Sequence, residues 1–375
     1  MKISGAESIV KSLIKNGTDL MFGYPGGAIM PTYDALYDYS DQLKHVLVRH
    51  EQGAVHAAVG YARATGRVGV AIATSGPGAT NLITGMADAL LDSVPLVCIT
   101  GQVAAHLLGT DAFQESDITG MAVPATKWSY QVVDAEEIPI MIDKAFEVAS
   151  SGRPGPVLID ITKNAQIDFL EYIEREPVDM TPGVGMLLSK KEISMAADLI
   201  NNAQRPFMLI GNGVQISGAQ QEVIDLAEKA DLAVATTLHG LSSMPTNHPN
   251  LKGYLGMHGN YGPNVLSNEA DVVLAVGMRF DDRVTGNLKG YLENSKVIHI
   301  EIDDSELDKN VKTEIGILAD AKSALQALTP LIKVNKHPEW HKRFSDCADK
   351  EKRIVIDKAI YPRSNDIRMA EAINL

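Results

Sequence analysis

The feature that most constrains the fold of this chain is a series of short apolar runs separated by helical patterns. The run from Pro95 to Thr100 is apolar almost throughout, as expected for a strand covered on both faces. Further runs at Asp19 to Gly23, Val68 to Thr74 and Val157 to Ile161 alternate with helical patterns such as Ile138 to Ser150. Strands that alternate with helices predict a parallel sheet with helices on both sides.

A second series of apolar runs follows a charge-rich stretch that contains Pro177 and Pro182. We interpret residues 166–188 as a linker, because prolines and charges are typical of the segments between domains. The predicted strands beyond it are Phe207 to Ile210, Leu232 to Thr236, Asp271 to Val276, Lys296 to Ile302 and Gly316 to Leu318. The sequence therefore predicts an α/β protein with two doubly wound parallel-sheet domains, at residues 1–165 and 189–335.

Composition narrows the classes of function. The formal net charge of -13 argues against a nucleic-acid partner, because phosphate binding requires a basic face. The two cysteines, Cys98 and Cys347, lie far apart in sequence, and buried reduced thiols fit a cytoplasmic protein. The first twenty residues contain no continuous apolar segment typical of a signal peptide, and no apolar run is long enough to predict a membrane span.

Glu51 is the first candidate for chemistry, together with the turn from Ser75 to Ala79. The sequence places Glu51 at the end of a strand, just past the run from His45 to Val48, and a glycine-rich turn follows the next strand. A buried acid beside glycines that admit a ligand is typical of a proton-handling site next to a cofactor. Spacing alone equally allows Glu51 to pair with Arg49 or to cap a helix.

Other segments carry similar two-sided interpretations. The turn Tyr24 to Gly27 could let a ligand approach the main chain or simply join a strand to a helix. The long aperiodic segment from Gly101 to Pro124 favours function, because Phe113 and Gln114 combine an apolar ring with an amide. Lys163 lies just past a strand end, where open α/β sheets bind ligands.

In the second domain the glycines do not form a dinucleotide fingerprint, since Gly218 lies too far after Gly213. Glu301 ends a strand, and an acid there can accept hydrogen bonds from ribose hydroxyls or cap the following helix. Arg279 either pairs with the neighbouring aspartates or binds a diphosphate or a carboxylate. The last residues follow a helical pattern with no C-terminal cap, and we expect the complete protein to continue.

Several long motifs in order resemble one family, the catalytic large subunit of acetolactate synthase, also called acetohydroxyacid synthase. The resemblance runs from the start to about Asp320 and is carried by these stretches: Gly23–Gly27, Arg49–Gln52, Thr74–Asn81, Thr110–Glu115, Ser151–Pro156, Leu255–Gly259 and Arg279–Arg283.

This resemblance implies thiamine diphosphate, Mg²⁺ and FAD as cofactors. It implies a transferase that decarboxylates pyruvate and joins the two-carbon unit to pyruvate or 2-oxobutyrate, toward valine, leucine and isoleucine. Three domains are implied: a pyrimidine-binding domain, a central FAD-holding domain and a diphosphate-binding domain. Residues 336–375 would be a linker and the start of a truncated third domain. The Gly-Asp-Gly stretch that binds metal is absent, so we expect no metal ligands in this chain and little activity from it alone.

The resemblance also assigns roles to residues. Glu51 would contact the aminopyrimidine of thiamine diphosphate, with Gly27 and its neighbours Pro25 and Gly26 lining the reaction centre. The substrate channel would be lined, from the partner subunit, by Phe113, Gln114 and Lys163. Arg279 would lie near the flavin and the second substrate. The implied FAD contacts are Arg153, His258, Gly259, Gly277, Arg279, Glu301, Asp303 and Asp320.

The same resemblance implies a homodimer or larger assembly with active sites at the subunit interface, and a small regulatory subunit. Two alternatives remain open. Glyoxylate carboligase is a related enzyme that lacks the glutamate, so Glu51 argues against it. The other alternative is a non-catalytic FAD-binding or interaction module derived from the family.

Overall fold

The computed structural model describes residues 1–180 and 188–356, which form two compact units that divide near residue 184. Each unit is built on a six-stranded sheet in which every neighbouring pair of strands is parallel. The predicted fold class, two parallel-sheet α/β domains, is confirmed. No helix within 1–180 or 188–356 is both long and apolar enough to cross a membrane.

Within residues 1–180 the first unit has eight strands, and six of them form its main sheet in the order β3-β2-β4-β5-β7-β6. The strands are β1 (Lys2–Ser4), β2 (Leu20–Gly23), β3 (Lys44–Leu47), β4 (Gly69–Ala73), β5 (Leu96–Gln102), β6 (Trp128–Val132), β7 (Pro156–Thr162) and β8 (Phe169–Glu171). Strand β6 lies at the sheet edge and was not predicted, because its half-buried residues do not form an apolar run.

Helices cover both faces of this sheet. They are α1 (Gly5–Lys15), α2 (Met30–Tyr37), α3 (Glu51–Thr65), α4 (Pro77–Thr80), α5 (Ile83–Leu91), α6 (Ile118–Ala122), α7 (Ile138–Ser150) and α8 (Lys163–Ile167). Alternate residues of β4 enter different cores: Val70 and Ile72 pack with α1, α2 and α7, whereas Ala71 and Ala73 pack with α3, α5 and α6. Ser4 is the N-cap of α1, since its side chain accepts from the Glu7 backbone N–H at 3.1 Å, and the Glu7 carboxylate accepts from the Tyr39 hydroxyl at 2.7 Å.

The predicted linker begins too early. Residues 163–167 form α8, and β8 pairs antiparallel with β1, so that Ile3 lies opposite Leu170. Residues 166–171 therefore belong to the first unit rather than to a linker. Spacing along the chain could not reveal this pairing, because β1 and β8 are three-residue strands far apart in sequence.

The second unit has the strand order β11-β10-β9-β12-β13-β14. Its strands are β9 (Pro206–Ile210), β10 (Ala233–Thr236), β11 (Leu251–Tyr254), β12 (Val272–Val276), β13 (Lys296–Glu301) and β14 (Ile315–Leu318). Its helices are α9 (Lys190–Asn202), α10 (Asn212–Ile216), α11 (Gln220–Ala230), α12 (Tyr261–Leu266), α13 (Asp282–Thr285), α14 (Ala321–Leu328) and α15 (Pro338–Glu351). Strand β12 again divides its residues, since Leu274 and Val273 enter separate cores on opposite faces.

Helix α15 is part of the second unit, which corrects the interpretation of residues from 336 onward as a linker. Trp340 is 2% exposed, and its ring nitrogen donates to the Pro206 carbonyl at 2.9 Å. Phe344, one helical turn later, stacks on Phe207 of β9 with ring centroids 5.9 Å apart. The two aromatic side chains therefore attach α15 to the sheet. The expected start of a third domain beyond residue 356 lies outside the described residues.

Trp340→Ala tests the attachment of α15. We expect it to lower the free energy of unfolding of the second unit by about 3–5 kcal/mol, because it removes a buried ring and orphans the Pro206 carbonyl. The matched control is Lys342→Ala on the exposed face of the same helix, with an expected change within about 0.5 kcal/mol. Urea unfolding of both variants is the measurement, and equal midpoints would show that α15 is not attached.

Candidate active site

The candidate site lies at the carboxyl ends of β2 and β4. From β2 the chain runs outward to β3 and then returns to β4 on the other side of β2, so the strand order reverses between these two neighbours. Open α/β sheets bind ligands at such a reversal point, outside the carboxyl ends of the strands. The segments that follow the two strands, residues 24–28 and 74–78, meet there, since the Ala28 backbone N–H donates to Thr74 Oγ1 at 3.2 Å.

Glu51 is the first residue of α3 and does not end a strand, which corrects the prediction. Strand β3 stops at Leu47, and His50 is the N-cap of α3, where its ring accepts from the Gln52 backbone N–H. Strand β3 lies at the sheet edge and pairs with β2 as far as Leu47, which is opposite Gly23, the last residue of β2. Glu51 is nevertheless 9% exposed, so its carboxylate lies inside the unit.

Asn81 is the hydrogen-bond partner of Glu51. Its side-chain Nδ2 donates to Glu51 Oε2 at 2.9 Å, and within the described residues no ion pair joins Glu51 to Arg49. The other oxygen, Oε1, would lie 3.3 Å from a Cβ atom built on Gly78. The glycine thus leaves room beside Oε1, while Asn81 holds Oε2. Asn81 ends the Thr74–Asn81 stretch that resembles the family, but the sequence alone gave no reason to expect it as the hydrogen-bond partner of Glu51.

Tyr33 and His45 extend the polar surroundings of Glu51. The Tyr33 hydroxyl lies 3.0 Å from His45 Nε2. Burial, and then the negative charge of Glu51, raise the pKa of Tyr33 well above its ordinary value. Tyr33 therefore remains a neutral hydroxyl near the buried acid.

The two glycines of the turn after β2 have different structural roles. A Cβ atom on Gly26 would lie 2.5 Å from the Thr74 side chain, so Gly26 is required by the packing between the two segments. A Cβ atom on Gly27 would meet no described atom within 4 Å. Gly27 and Pro25 are exposed at this edge. The space beside Gly27 is thus open to a ligand.

The loop that carries Phe113 and Gln114 reaches the same edge. Phe113 is 87% exposed. Gln114 has a positive φ of 60°, and a Cβ atom on Gly76 would lie 2.8 Å from the Gln114 carbonyl oxygen. The loop backbone therefore contacts the turn that precedes Gly78. This contact joins the loop to the Glu51 region, whereas the side chain of Phe113 is exposed.

Glu115 holds the same loop in shape. Its carboxylate accepts hydrogen bonds from the backbone N–H groups of Gly109 and Ala112, the latter at 3.0 Å. These bonds, with that of Gly109 first, lower the pKa of Glu115 below its ordinary value of 4.5. Glu115 was not predicted as a site residue, because its two backbone partners depend on the shape of the loop.

Lys163 and Arg153 lie at opposite ends of β7. Lys163 directly follows the carboxyl end of β7 and is half-buried, two strands away from β4. Arg153 precedes β7 in the turn at the amino end, where its Nε donates to Ser93 Oγ at 2.8 Å. The structure therefore places Lys163, but not Arg153, on the edge of the sheet that carries Glu51.

In the second unit the corresponding reversal point lies between β9 and β12. Gly277 follows β12 with a positive φ of 54°, and a Cβ atom on it would lie 2.7 Å from the Cα atom of Gly213. The Gly213 N–H donates to the Gly277 carbonyl at 2.9 Å. Gly277 is thus required by the packing of two loops, a reason that is independent of any ligand.

The acids predicted to bind FAD have roles within the chain. Asp320 is the N-cap of α14 and accepts from the Ser323 N–H at 3.0 Å, and Asp303 accepts from the Ser305 N–H at 3.0 Å. Glu301 Oε1 accepts from the backbone N–H of Ile302 at 2.9 Å. Asp303 and Asp320 are therefore N-caps of the helical segments that follow them, whereas Glu301 accepts from the backbone N–H next to it and is not the N-cap of the following turn. The contacts of these acids to FAD remain predictions.

The remaining FAD candidates are dispersed around the carboxyl edge of this sheet. Arg279 lies 3.7 Å from Asp281, which is the aspartate pairing left open by the sequence. His258 is exposed, and its carbonyl accepts from the Tyr254 hydroxyl. A Cβ atom on Gly259 would lie 2.5 Å from the Tyr254 carbonyl oxygen, so this glycine is required by local packing. The contacts of these residues to FAD remain predictions.

His299 is a buried histidine of β13 that the sequence did not single out. Its Nε2 lies 2.9 Å from the Met278 carbonyl oxygen, in the segment that follows β12. Burial lowers the pKa of His299 below its ordinary value, although the hydrogen bond to Met278 opposes this effect. The imidazole therefore holds the segment next to Arg279 as a neutral ring.

Comparisons with known proteins agree with this geometry. Residues 3–121 match the model of the thiamine pyrophosphate enzyme N-terminal TPP binding domain, and residues 193–328 match that of the central domain. The chain is 48% identical to a probable acetolactate synthase large subunit of Methanocaldococcus jannaschii over 87% of this chain and 56% of the relative. This chain belongs to the acetolactate synthase large-subunit family.

Two further relatives are also matched over only part of their length. The acetolactate synthase large subunit of Corynebacterium glutamicum is 44% identical to this chain, over 97% of this chain and 58% of the relative. The large subunit of acetolactate synthase isozyme 1 of Escherichia coli is 45% identical to this chain, over 97% of this chain and 64% of the relative. The chain thus spans less than two thirds of the length of these relatives.

The glycines after β2 give a matched pair of variants. Gly26→Ala should lower the free energy of unfolding of the first unit by about 1–3 kcal/mol, because its Cβ collides with Thr74. Gly27→Ala should change it by less than about 1 kcal/mol, because the added methyl group enters open space. Thermal unfolding of both variants measures the difference, and equal loss of stability in the two would contradict the open space beside Gly27.

The loop around Glu115 should depend on pH. Its folded-state pKa is lowered, so its stabilising effect is complete above the ordinary value of 4.5 and is lost as the pH falls through the folded-state pKa. NMR shifts of the Gly109 and Ala112 amides should therefore move together on acidification. In Glu115→Gln, the control, this movement should be abolished; its persistence there would assign the titration to another group.

Proposed function

We propose that this chain supplies the pyrimidine-binding part of a thiamine-diphosphate site, as part of an acetolactate synthase large subunit. The observation that carries the proposal is the buried carboxylate of Glu51 at the reversal point of the first sheet. Asn81 donates a hydrogen bond to Oε2 of Glu51, and Oε1 lies next to Gly78, which has no side chain to fill the space beside it. This arrangement suits an acid that must meet a ring nitrogen of a bound cofactor.

Thiamine diphosphate, when bound, supplies the carbon nucleophile and the electron sink for decarboxylating a 2-oxo acid. The part of Glu51 is to hold a proton at Oε1, against the aminopyrimidine nitrogen. Burial favours this contact, because little water reaches a carboxylate inside the unit to compete for the hydrogen bond. Asn81 fixes the rotation of the carboxylate, so that Oε1 rather than Oε2 meets the cofactor.

The other residues at this edge line the approach to the cofactor. Gly27, with Pro25, borders the open space, where a larger side chain would intrude on a ligand. Phe113, Gln114 and Lys163 would line the substrate channel of a neighbouring subunit, which fits the exposure of Phe113. The substrates of the proposed transferase are pyruvate and, as second acceptor, 2-oxobutyrate.

The proposal extends to the second unit and to the assembly. FAD would be held at the carboxyl edge of the second sheet, near Arg279 and Glu301, with Arg153 as a further contact. Mg²⁺ and the diphosphate would be bound by a third domain, so that 1–180 and 188–356 contribute no metal ligand. A homodimer with active sites between subunits, a small regulatory subunit and a cytoplasmic location complete the proposed function.

The first test is an assay for acetolactate with pyruvate, thiamine diphosphate, Mg²⁺ and FAD. It compares this chain alone with a polypeptide that extends through a diphosphate-binding domain. We expect activity in the extended form and little in the chain alone, because the diphosphate ligands are proposed to lie in the third domain. No activity in either form would favour a non-catalytic FAD-binding or interaction module.

Glu51→Gln in the extended form tests the mechanism. Exchange of the cofactor C2 proton with solvent deuterium should slow by about 10²–10⁴-fold, the usual effect of removing a general acid–base group. Glu147→Gln, on an exposed face of α7, is the control and should leave the exchange rate unchanged. If exchange is equally fast in the wild type and in Glu51→Gln, the role given to Glu51 is wrong.

A further inference from the structure

A second buried acid, Asp160, lies in the middle of β7 and has no part in the function proposed above. It is fully buried in an otherwise apolar strand, and burial raises its pKa. Three neutral side chains donate to it: Thr100 to Oδ1 at 2.7 Å, and Gln102 and Gln131 to Oδ2, each at 3.0 Å. A buried acid satisfied by three donors from neighbouring strands is costly to disturb, because each donor would be left without a partner.

One of the three donors reaches beyond the sheet. Gln102 Nε2 donates to the Ser116 carbonyl at 2.9 Å as well as to Asp160, and its Oε1 accepts from the Val103 N–H at 2.9 Å. Reversing this amide would set its oxygen against two acceptors, so the carboxylate of Asp160 fixes the orientation of Gln102. The link therefore runs from β7 through Gln102 to the C-terminal end of the loop that carries Phe113 and Gln114.

That loop needs anchors. Asp111 and Gln114 both have left-handed backbones, with φ of 57° and 60°. For residues other than glycine this conformation is unfavourable, and it persists only where the surroundings impose it. Glu115 restrains the loop from within, through the N–H groups of Gly109 and Ala112. The Ser116 carbonyl is one point at which the sheet restrains the loop from outside, and the Ala105 N–H, which donates to Asn164 Oδ1 at 2.8 Å, is another.

We propose that Asp160 is a positioning residue: through Gln102 it holds the 103–117 loop in the shape that presents Phe113 and Gln114. The consequence for catalysis rests on the channel role given to these two residues under the proposed function. The positioning of the loop does not depend on that channel role, because it follows from contacts within the first unit. Gln131 provides the comparison, since it donates to the same Oδ2 atom, and within the described residues no side-chain hydrogen bond joins it to the loop.

The test is hydrogen–deuterium exchange of peptides that cover residues 103–117 in this chain. Gln102→Ala and Asp160→Ala should each raise exchange in these peptides by about tenfold, the effect of losing one typical buried hydrogen bond. Gln131→Ala removes an equivalent donor and should leave exchange of the loop unchanged. Asp160→Asn should retain the wild-type loop, because the Asn oxygen can accept from both glutamines while Thr100 rotates to accept from its amide.

A double variant separates action through Gln102 from a general loss of stability. In Asp160→Ala/Gln102→Ala the increase should equal that of Gln102→Ala alone, because both substitutions break one link. If Asp160→Ala does not fold, the pair Gln102→Ala and Gln131→Ala still decides the point. Equal exchange in that pair, or additive effects in the double variant, would overturn the proposal. A different outcome is that exchange of the loop changes as expected, but Asp160→Ala and Gln131→Ala have equal acetolactate-forming activity in the extended form. That outcome would contradict the channel role of Phe113 and Gln114 and would leave the positioning role of Asp160 intact.

Discussion

The coverage of each parallel sheet on both faces is the constraint on which the rest of the structure depends. In β4 and β12 successive side chains enter different cores, so the central strands have no solvent-facing side. The buried carboxylates of the first unit are therefore found in two kinds of place: at a strand end, where loops and helix N-termini meet, and at an interior position where neighbouring side chains donate to the acid. Glu51 occupies the first kind of place and Asp160 the second.

The reversal of strand order concentrates the loops at one point of each sheet. In both units two loops that leave neighbouring strands touch through glycine, Gly26 against Thr74 in the first and Gly213 against Gly277 in the second. The contact fixes the position of the loops, and the chemistry is left to the residues next to it. This explains why a glycine in such a motif is not by itself evidence of a ligand: Gly26 and Gly277 are needed for packing, whereas Gly27 faces open space.

Local patterns in the sequence predicted most of the elements, because the central strands and the amphipathic helices show their burial in their own residues. The elements that the sequence did not predict depend on contacts between residues far apart in the chain. Strands β1 and β8 are defined by each other, and β6 lies at an edge with half-buried residues. Residues 336–375 were assigned to a linker and a third domain rather than to the second unit, although Trp340 and Phe344, four residues apart, lie on one face of a helix. At the candidate site, motifs singled out Glu51, Gly27 and Gln114, whereas the contact of Asn81 with Glu51 depends on the fold.

The two buried acids of the first unit show how the number of donors separates structure from chemistry. Asp160 receives three hydrogen bonds from side chains, and both of its oxygens are engaged, so any change in its protonation or rotation would disturb three strands. Glu51 receives one, at Oε2, and its other oxygen lies over a glycine. An acid that must exchange a proton needs an oxygen that the protein leaves available, and it needs the other oxygen held so that the first does not rotate away. An apolar strand interrupted by a single acid, as at Asp160, is thus a signal for a structural network, while an acid at a helix start beside glycines is a signal for a site.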